Sequence, residues 1–454
     1  MEKKFALTRQ VKALPGEYVK RIEDFFSGDR TGNAAGSIFF DIETTGLSAR
    51  GSCIIIIGFI YYDSNDRIWR TVDLFSDLPD AEEELIKEFF SYIHDDTALV
   101  SFNGLQFDIP FILQRCRLKK VAVPDHVKKA FEKSIDLFAL IRKYKKAFGL
   151  DRVNQSYLER MTAPDLADRS EDLHGEEIIN GYRTYIMKKK AAIMQREEPA
   201  ECKELKERLI LHNYRDILGM CLILPLAQIC LYINDLKDLS GSRDLKKYCR
   251  EIIINIGPAS DEIDSAPDEI GPASDETISD KAGDPCISDN AVNTDAAFIT
   301  VIPAIDHHFA DLSAHSSSGC IHFSADRIHI KADITHEKLR YFIPDYKDYY
   351  IDTGTGEPVH KSIAAFMDKG NRRRASRQDC FMAKEAYFVK VPEKTFLEIS
   401  SALSSADTDV RRGIKHKAHI WKREYTEKES FLELEDLKDW SILGCYVISL
   451  LVML

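Results

Sequence analysis

Two patterns of apolar and polar positions divide the N-terminal half of the chain. Ser37-Ile-Phe-Phe-Asp-Ile is a short apolar run, and Cys53-Ile-Ile-Ile-Ile-Gly-Phe-Ile-Tyr-Tyr is a longer one, apolar on both faces. Each predicts a buried β-strand. Arg67-Ile-Trp-Arg-Thr-Val-Asp-Leu-Phe alternates loosely and predicts a third strand, nearer a sheet edge. Helical spacing from Ala81 to Ile93 leads into another apolar strand, Ala98-Leu-Val-Ser-Phe. Helices then dominate, over about 108–116, 137–148 and 176–190, with one long helix from Cys202 to about Ile233. A three-strand meander followed by strands alternating with helices predicts an α/β fold, a mixed sheet flanked by helices.

Beyond about residue 297 the pattern changes. Cys320-Ile-His-Phe-Ser, Arg327-Ile-His-Ile-Lys and Ile414-Lys-His-Lys-Ala-His-Ile-Trp alternate like half-exposed strands, and Val359–Lys369 is spaced like a helix. This predicts a smaller α+β domain. Between the two halves, Ile256-Gly-Pro-Ala-Ser-Asp-Glu recurs as Ile270-Gly-Pro-Ala-Ser-Asp-Glu. A tandem repeat this rich in Pro, Ser and acids buries too little apolar surface to offset chain entropy. The expected organisation is a first domain over 1–255 with its core at 37–235, an acidic disordered linker at 256–297, and the α+β domain at 298–454.

Composition narrows the class. The 454 residues are 44% hydrophobic and 30% charged, a globular balance that excludes a collagen, a coiled-coil rod or a wholly disordered chain. The net charge of −12 is concentrated in one place, since 261–295 holds 11 acids and one Lys. The remainder is close to neutral, so charge neither supports nor excludes a nucleic-acid partner. No apolar run reaches the roughly 18 residues of a membrane span. The apolar tail Trp440–Leu454 therefore suits a buried core helix better than the alternative of a short membrane anchor, and no stable membrane association is expected. The basic N-terminus lacks an apolar signal core, and a cytoplasmic protein is expected. The ten cysteines are scattered without a Cys-x-x-Cys, which favours reduced, buried thiols over zinc or disulfides.

Three short segments carry the candidate chemistry. In Phe40-Asp-Ile-Glu-Thr-Thr-Gly46, Asp41 and Glu43 project from the same face of a strand end, where two carboxylates repel unless a cation lies between them. In Ser101-Phe-Asn-Gly-Leu-Gln-Phe-Asp108-Ile-Pro, Asp108 stands at a helix start and equally suits an N-cap, while Asn103 suits a turn. In Leu211-His-Asn-Tyr-Arg-Asp216, His212 and Asp216 are four apart and share one helix face with Leu205, Leu209 and Met220. A His and an Asp in such a stripe need a partner, either each other or a ligand.

Asp-x-Glu-Thr-Thr-Gly on a first strand, Asn-x-x-x-Phe-Asp at a helix start and His-x-x-x-Asp on a late helix together resemble the DEDD superfamily of ribonuclease H-like 3′–5′ exonucleases. Ser134-Ile-Asp-Leu-Phe-Ala-Leu-Ile-Arg, Asn154-Gln-Ser-Tyr-Leu-Glu-Arg and His174-Gly-Glu-Glu-Ile look like its YprB-like branch, related to the exonuclease domain of B-family DNA polymerases. The resemblance covers about 37–235. It implies Asp41, Glu43, Asp108 and Asp216 as metal-binding carboxylates and His212 as general base. The third motif departs from the common Tyr-x-x-x-Asp and His-x-x-x-x-Asp forms, which leaves Tyr214 as an alternative base. The implied cofactor is a pair of Mg²⁺ or Mn²⁺ ions that clamp the attacking and leaving oxygens of a phosphodiester displacement. Oxygen ligands suit these ions better than zinc. Thr44, Thr45 and Asn103 are placed to grip a terminal nucleotide. The implied partner is a DNA or RNA end, with single strands favoured. The competing class is a non-catalytic nucleic-acid-binding protein on the same fold.

Other signals weigh less. Asp352-Thr-Gly has no second copy to make an aspartic-protease dyad. Asp306-His-His with His315 matches no standard metal spacing. The basic stretches 371–377 and 411–423 are as consistent with a solvated face as with phosphate binding.

Overall fold

The computed structural model describes residues 7–27, 33–167, 169, 173, 175–195, 200–237, 249–257, 277–278, 296–303, 309–316, 319–404 and 418–454. Most of the expected linker, His174, the Asp306-His-His triplet and the first part of the second basic stretch lie outside these residues. The chain forms two compact units, one drawn mainly from residues up to Leu231 and the other mainly from Tyr232 onward.

The first unit runs β1 (Leu7–Ala13), α1 (Gly16–Phe25), β2 (Ser37–Thr44), β3 (Ile54–Asp63), β4 (Ile68–Ser76), α2 (Glu82–Phe90), β5 (Ala98–Ser101), α3 (Asp108–Lys119), α4 (Asp125–Glu132), β6 (Ile135–Asp136), α5 (Leu137–Arg142), α6 (Gln155–Thr162), α7 (Gly175–Gln195), α8 (Ala200–Leu222) and the first part of α9 (Leu224–Lys237). Its six-stranded sheet has the order β1-β4-β3-β2-β5-β6. The first four strands pair antiparallel, whereas β5 and β6 run parallel to β2. This is the mixed sheet expected from the apolar runs.

Three elements differ from expectation. The strand expected near an edge, β4, is interior, because β1 pairs along it from Leu7↔Ser76 to Ala13↔Arg70. β1 reads Leu-Thr-Arg-Gln-Val-Lys-Ala, too polar to announce a strand by itself. The helix expected over 137–148 keeps helical hydrogen bonding only to Arg142. The long helix breaks after Leu222 and resumes at Leu224, beside Pro225. Proline has no N–H to give and its ring crowds the carbonyl four residues earlier.

The two faces of the sheet bury different helices. Ile38, Phe40, Ile42, Ile57, Phe59, Val72 and Leu74 pack with α2, α3 and α4 in one core. Ile56 and Phe75, on the opposite pleat, pack against Tyr182 and Tyr185 of α7 and Leu209 and Ile210 of α8. Asp41 and Glu43 alternate with Phe40 and Ile42, so they point to the α8 side. A buried polar knot fixes α7 and α8 there. Asp77, just beyond β4, accepts from the Tyr185 hydroxyl at 2.6 Å and Lys206 Nζ at 2.7 Å.

In the second unit one sheet has the order β10-β11-β12-β9-β7-β8. Its strands are β7 (Cys249–Gly257), β8 (Thr277–Ile278), β9 (Ala296–Pro303), β10 (Leu312–Ser316), β11 (Gly319–Ser324) and β12 (Arg327–Phe342). β13 (Tyr349–Asp352), β14 (Pro358–His360) and β15 (Arg372–Arg374) form a small separate sheet. β16 (Phe381–Val391) pairs with β12 and with β17 (Ser430–Glu433). The helix expected over 359–369 is reduced to one turn, α10 (Lys361–Ala364), because Pro358–His360 pairs with β13 instead. The apolar tail forms α12 (Trp440–Val452), buried from Ile442 to Leu451 and packed with α11 (Glu393–Ser404). Among the described residues no single helix is long and apolar enough to cross a membrane.

A buried ion pair pins the loop between β2 and β3. Glu82, fully buried, receives Arg115 Nε at 2.7 Å and Nη2 at 2.5 Å, and also accepts the Ile54 N–H at 2.9 Å. Arg115 Nη1 in turn donates to the Ala49 carbonyl at 2.8 Å. Arg115→Met leaves the buried Glu82 charge with only the longer Lys119 Nζ contact at 3.6 Å and should cost up to roughly 3–5 kcal/mol in urea unfolding. Glu82→Gln combined with Arg115→Met should recover part of that loss. A single-mutant cost below about 1 kcal/mol, the scale of an exposed pair, would contradict this role.

Candidate metal centre

The centre begins where strand pairing runs out. The β2–β5 ladder stops at Phe39↔Val100, and the Ile42 N–H beyond it is taken by Asp108 Oδ1 at 3.2 Å. Asp108 is the first residue of α3 and is 3% exposed. It therefore holds β2, rather than only starting its own helix. A tight turn returns the chain to this position. Asn103 adopts left-handed geometry, φ 66°. A methyl on Gly104 would lie 2.3 Å from Ser101 Oγ and 3.4 Å from Asp108 Oδ2. The Asp136 carboxylate accepts the N–H of Asn103 at 3.0 Å and of Leu105 at 3.1 Å, and caps α5 through Ala139 N at 3.1 Å.

Helix α8 supplies the other half. His212 Nε2 lies 3.3 Å from Glu43 Oε1 and 3.3 Å from Asp216 Oδ2. Candidate ligand atoms of Glu43, His212 and Asp216 all lie within 4.8 Å of one another. Next along the helix, the fully buried Asn213 donates Nδ2–H to Asp41 Oδ2 at 2.8 Å. Gly58, opposite Asp41 on β3, makes that approach possible. A methyl there would sit 1.9 Å from Asn213 Oδ1.

The electrostatics are those of acids crowded out of water. Burial, then the charges of Asp108, Asp216 and Glu43, hold the Asp41 carboxyl well above its ordinary range. Burial pushes Asp108 up to about 7, against the opposing Ile42 hydrogen bond. It pushes Asp216 to about 6, against the pull of Arg169 and His212. Arg169 Nη1 is bonded to Asp216 Oδ1, and its Nε and Nη2 form a two-point pair with buried Glu159 at 2.8 and 2.6 Å. Gln155 Nε2 joins Glu159 Oε1 at 2.9 Å to the Asp216 carbonyl at 2.7 Å. This clasp fits because Gly219 leaves room, its absent methyl lying 1.8 Å from Glu159 Oε1. An oxygen-rich donor set whose members raise one another's pKa fits hard divalent cations.

Of the five residues expected to act together, Glu43, His212 and Asp216 bring ligand atoms within 4.8 Å of one another, and Asp41 lies close enough to Asp108 and to these three to feel their charges. Tyr214 points elsewhere, with Lys12 Nζ stacked 4.5 Å from its ring centre. Thr44 Oγ1 donates to the Gly46 carbonyl at 3.0 Å, and Thr45 Oγ1 accepts the Cys53 N–H at 3.0 Å. Both hydroxyls are engaged in shaping the loop. The Asn103 side-chain amide makes no hydrogen bond among the described residues. Asn213, Asp136 and Arg169 were not foreseen. Only Asn213 left a trace, a polar residue four after Leu209 and four before Ile217 on the buried stripe of α8.

Residues 38–227 match the family model described as RNase_H superfamily. That match, with the six-stranded mixed sheet and its flanking helices, supports the ribonuclease H-like superfamily for the first unit. No curated protein matches the chain. The solved structures include one described as "apo form of the nuclease", 14% identical, covering 50% of this chain and 92% of that chain with a TM-score of 0.20.

The raised carboxyl pKa values set a pH dependence. Folded Asp108 keeps its proton to about pH 7, whereas an unfolded Asp releases it near pH 4. Stability from this source is full below about pH 4 and is lost as pH rises through about 7. In chelator, melting temperature should therefore fall between about pH 5 and 8, and the gain on adding Mn²⁺ should grow over the same window. A Mn²⁺ gain that stays constant with pH would contradict the arrangement.

Proposed function

We propose that this protein is a metal-dependent 3′–5′ exonuclease that hydrolyses phosphodiester bonds at DNA or RNA ends, with single strands preferred. The observation that carries the reading is the meeting of Asp41, Glu43 and Asp108 from the sheet end with His212 and Asp216 from α8. The match of 38–227 to the RNase_H superfamily model supports hydrolysis of nucleic acid, and the order of the three motifs supports the exonuclease type.

Two Mg²⁺ or Mn²⁺ ions, held by Asp41, Glu43, Asp108 and Asp216, would supply the positive charge that stabilises phosphodiester displacement. The side chains supply the rest. Asn213 and the Ile42 N–H fix the carboxylates of Asp41 and Asp108, so little reorganisation remains when substrate arrives. His212 Nε2 faces into the acid cluster and is the atom that accepts a proton from the attacking water. The Asn103 side chain, on its left-handed turn, contacts the terminal nucleotide. Thr44 and Thr45 act indirectly, by shaping the adjoining loop with their hydroxyls.

Purified protein incubated with an end-labelled single strand and Mn²⁺ should release nucleotides from the 3′ end, and EDTA should stop it. Asp41→Ala and Asp216→Ala should abolish release. His212→Ala should lower the rate by roughly 10²–10⁴, the usual share of a positioned general base. Tyr214→Phe should change little, because its ring faces Lys12. Binding of the strand without release would instead indicate a non-catalytic binding protein. Equal damage from Tyr214→Phe and His212→Ala would overturn the assignment of the base.

A further inference from the structure

Directly behind Asp41 lies a second buried acid. β2, β3 and β4 align Asp41, Gly58 and Asp73 in one cross-strand row, and all three lie on the pleat that faces α8. Asp73 is fully buried, and among the described residues neither of its oxygens has a hydrogen-bond partner. The same is true of Asn213 Oδ1 and of the Thr71 hydroxyl, two residues away on the same face of β4. Native proteins seldom leave such atoms unpaired. Here they are neighbours. A methyl on Gly58 would lie 1.9 Å from Asn213 Oδ1 and 3.5 Å from Asp73 Oδ1.

A carboxylate and an amide oxygen facing each other are two acceptors, and that arrangement repels. One proton removes the conflict. We propose that Asp73 is a positioning residue for Asp41: held as the neutral acid, it donates to Asn213 Oδ1, directly or across one water. Asn213 is then fixed with its Nδ2–H on Asp41. Without that donor only the bond to Asp41 holds the amide in its present orientation, and an ionised Asp73 would draw its Nδ2–H away. A flipped amide would turn its oxygen toward the Asp41 carboxylate and loosen it. The inference rests on reading Asp41 as a metal ligand. It extends that reading to a residue that touches neither metal nor substrate.

The surroundings agree. Burial raises the Asp73 carboxyl to about 7, with only the charge of Lys12 opposing. The charged and titratable groups facing Asp73 are Lys12 from β1 and Tyr214 from α8. Lys12 is drawn onto the Tyr214 ring, and the Tyr214 hydroxyl is raised by burial and by Asp73 itself. Gln10, opposite Asp73 on β1, carries no charge.

The test uses the full chain and the variants Asp73→Asn and Asp73→Val. Asp73→Asn keeps a donor for Asn213 that does not titrate; Asp73→Val keeps the shape and removes the donor. In metal-free protein at about pH 6, the infrared difference between parent and Asp73→Asn should contain a protonated-carboxyl stretch. Absence of that band overturns the proposal. In calorimetric Mn²⁺ titrations Asp73→Val should bind about 10-fold more weakly than the parent, the usual effect of removing an outer support. Asp73→Asn should match the parent at about pH 6 and bind more tightly than it at about pH 8.5, where the parent acid ionises. A parent-to-Asn ratio that is flat with pH, or a folded Asp73→Val that binds like the parent, overturns the positioning role. Mn²⁺ binding by the parent separately decides the metal reading, so the two failures are distinguishable.

Discussion

The first unit is organised around one electrostatic problem, the burial of several carboxylates at one end of a sheet beneath a helix. Carboxylates in such a place either keep their protons or receive cations. The chain does some of each. Arg169 brings a positive charge to Asp216, hydrogen bonds from Ile42 and Asn213 support Asp108 and Asp41, and the remaining repulsion shows in the raised pKa values. An arrangement this costly in the metal-free protein makes physical sense where cations complete it.

Much of the surrounding structure serves that arrangement. Gly58 and Gly219 are places where a side chain would collide with the residues that hold Asp41 and Asp216. Asp136 shapes the turn that delivers Asp108. The Glu82–Arg115 pair fixes the loop that follows Glu43. Asp77 ties α8 down through Lys206 near the helix start, so that His212 and Asp216 arrive in register. These contacts are remote in sequence, 31 to 172 residues apart, so they form only with the complete unit.

What the sequence disclosed follows from these physics. β2, β3 and β5 were legible because strands buried on both faces must be apolar, and the acids on β2 stood out against that background. His212 and Asp216 were legible because four-residue spacing places them on one helix face. β1 was not, because a half-exposed edge strand carries Thr, Arg, Gln and Lys. Arg169 was not, since its meaning lies in Glu159 and Asp216, 10 and 47 residues away. In the second unit β12 runs 16 residues, yet beyond Lys331 its pattern becomes mostly polar and conceals the pairing with β16. The break at Pro225 was hidden because the apolar run around it continues from Ile217 to Ile233.

The buried, partly protonated acids of this centre are proposed to exchange protons for divalent cations. Calorimetric titration with Mn²⁺ at about pH 6.5, repeated in two buffers of different ionisation enthalpy, counts the protons released on binding. Saturable binding with release of at least about one proton per chain is expected, because burial holds Asp108 up to about 7 and Asp41 above its ordinary range. Binding without proton release, or no binding at all, would contradict it.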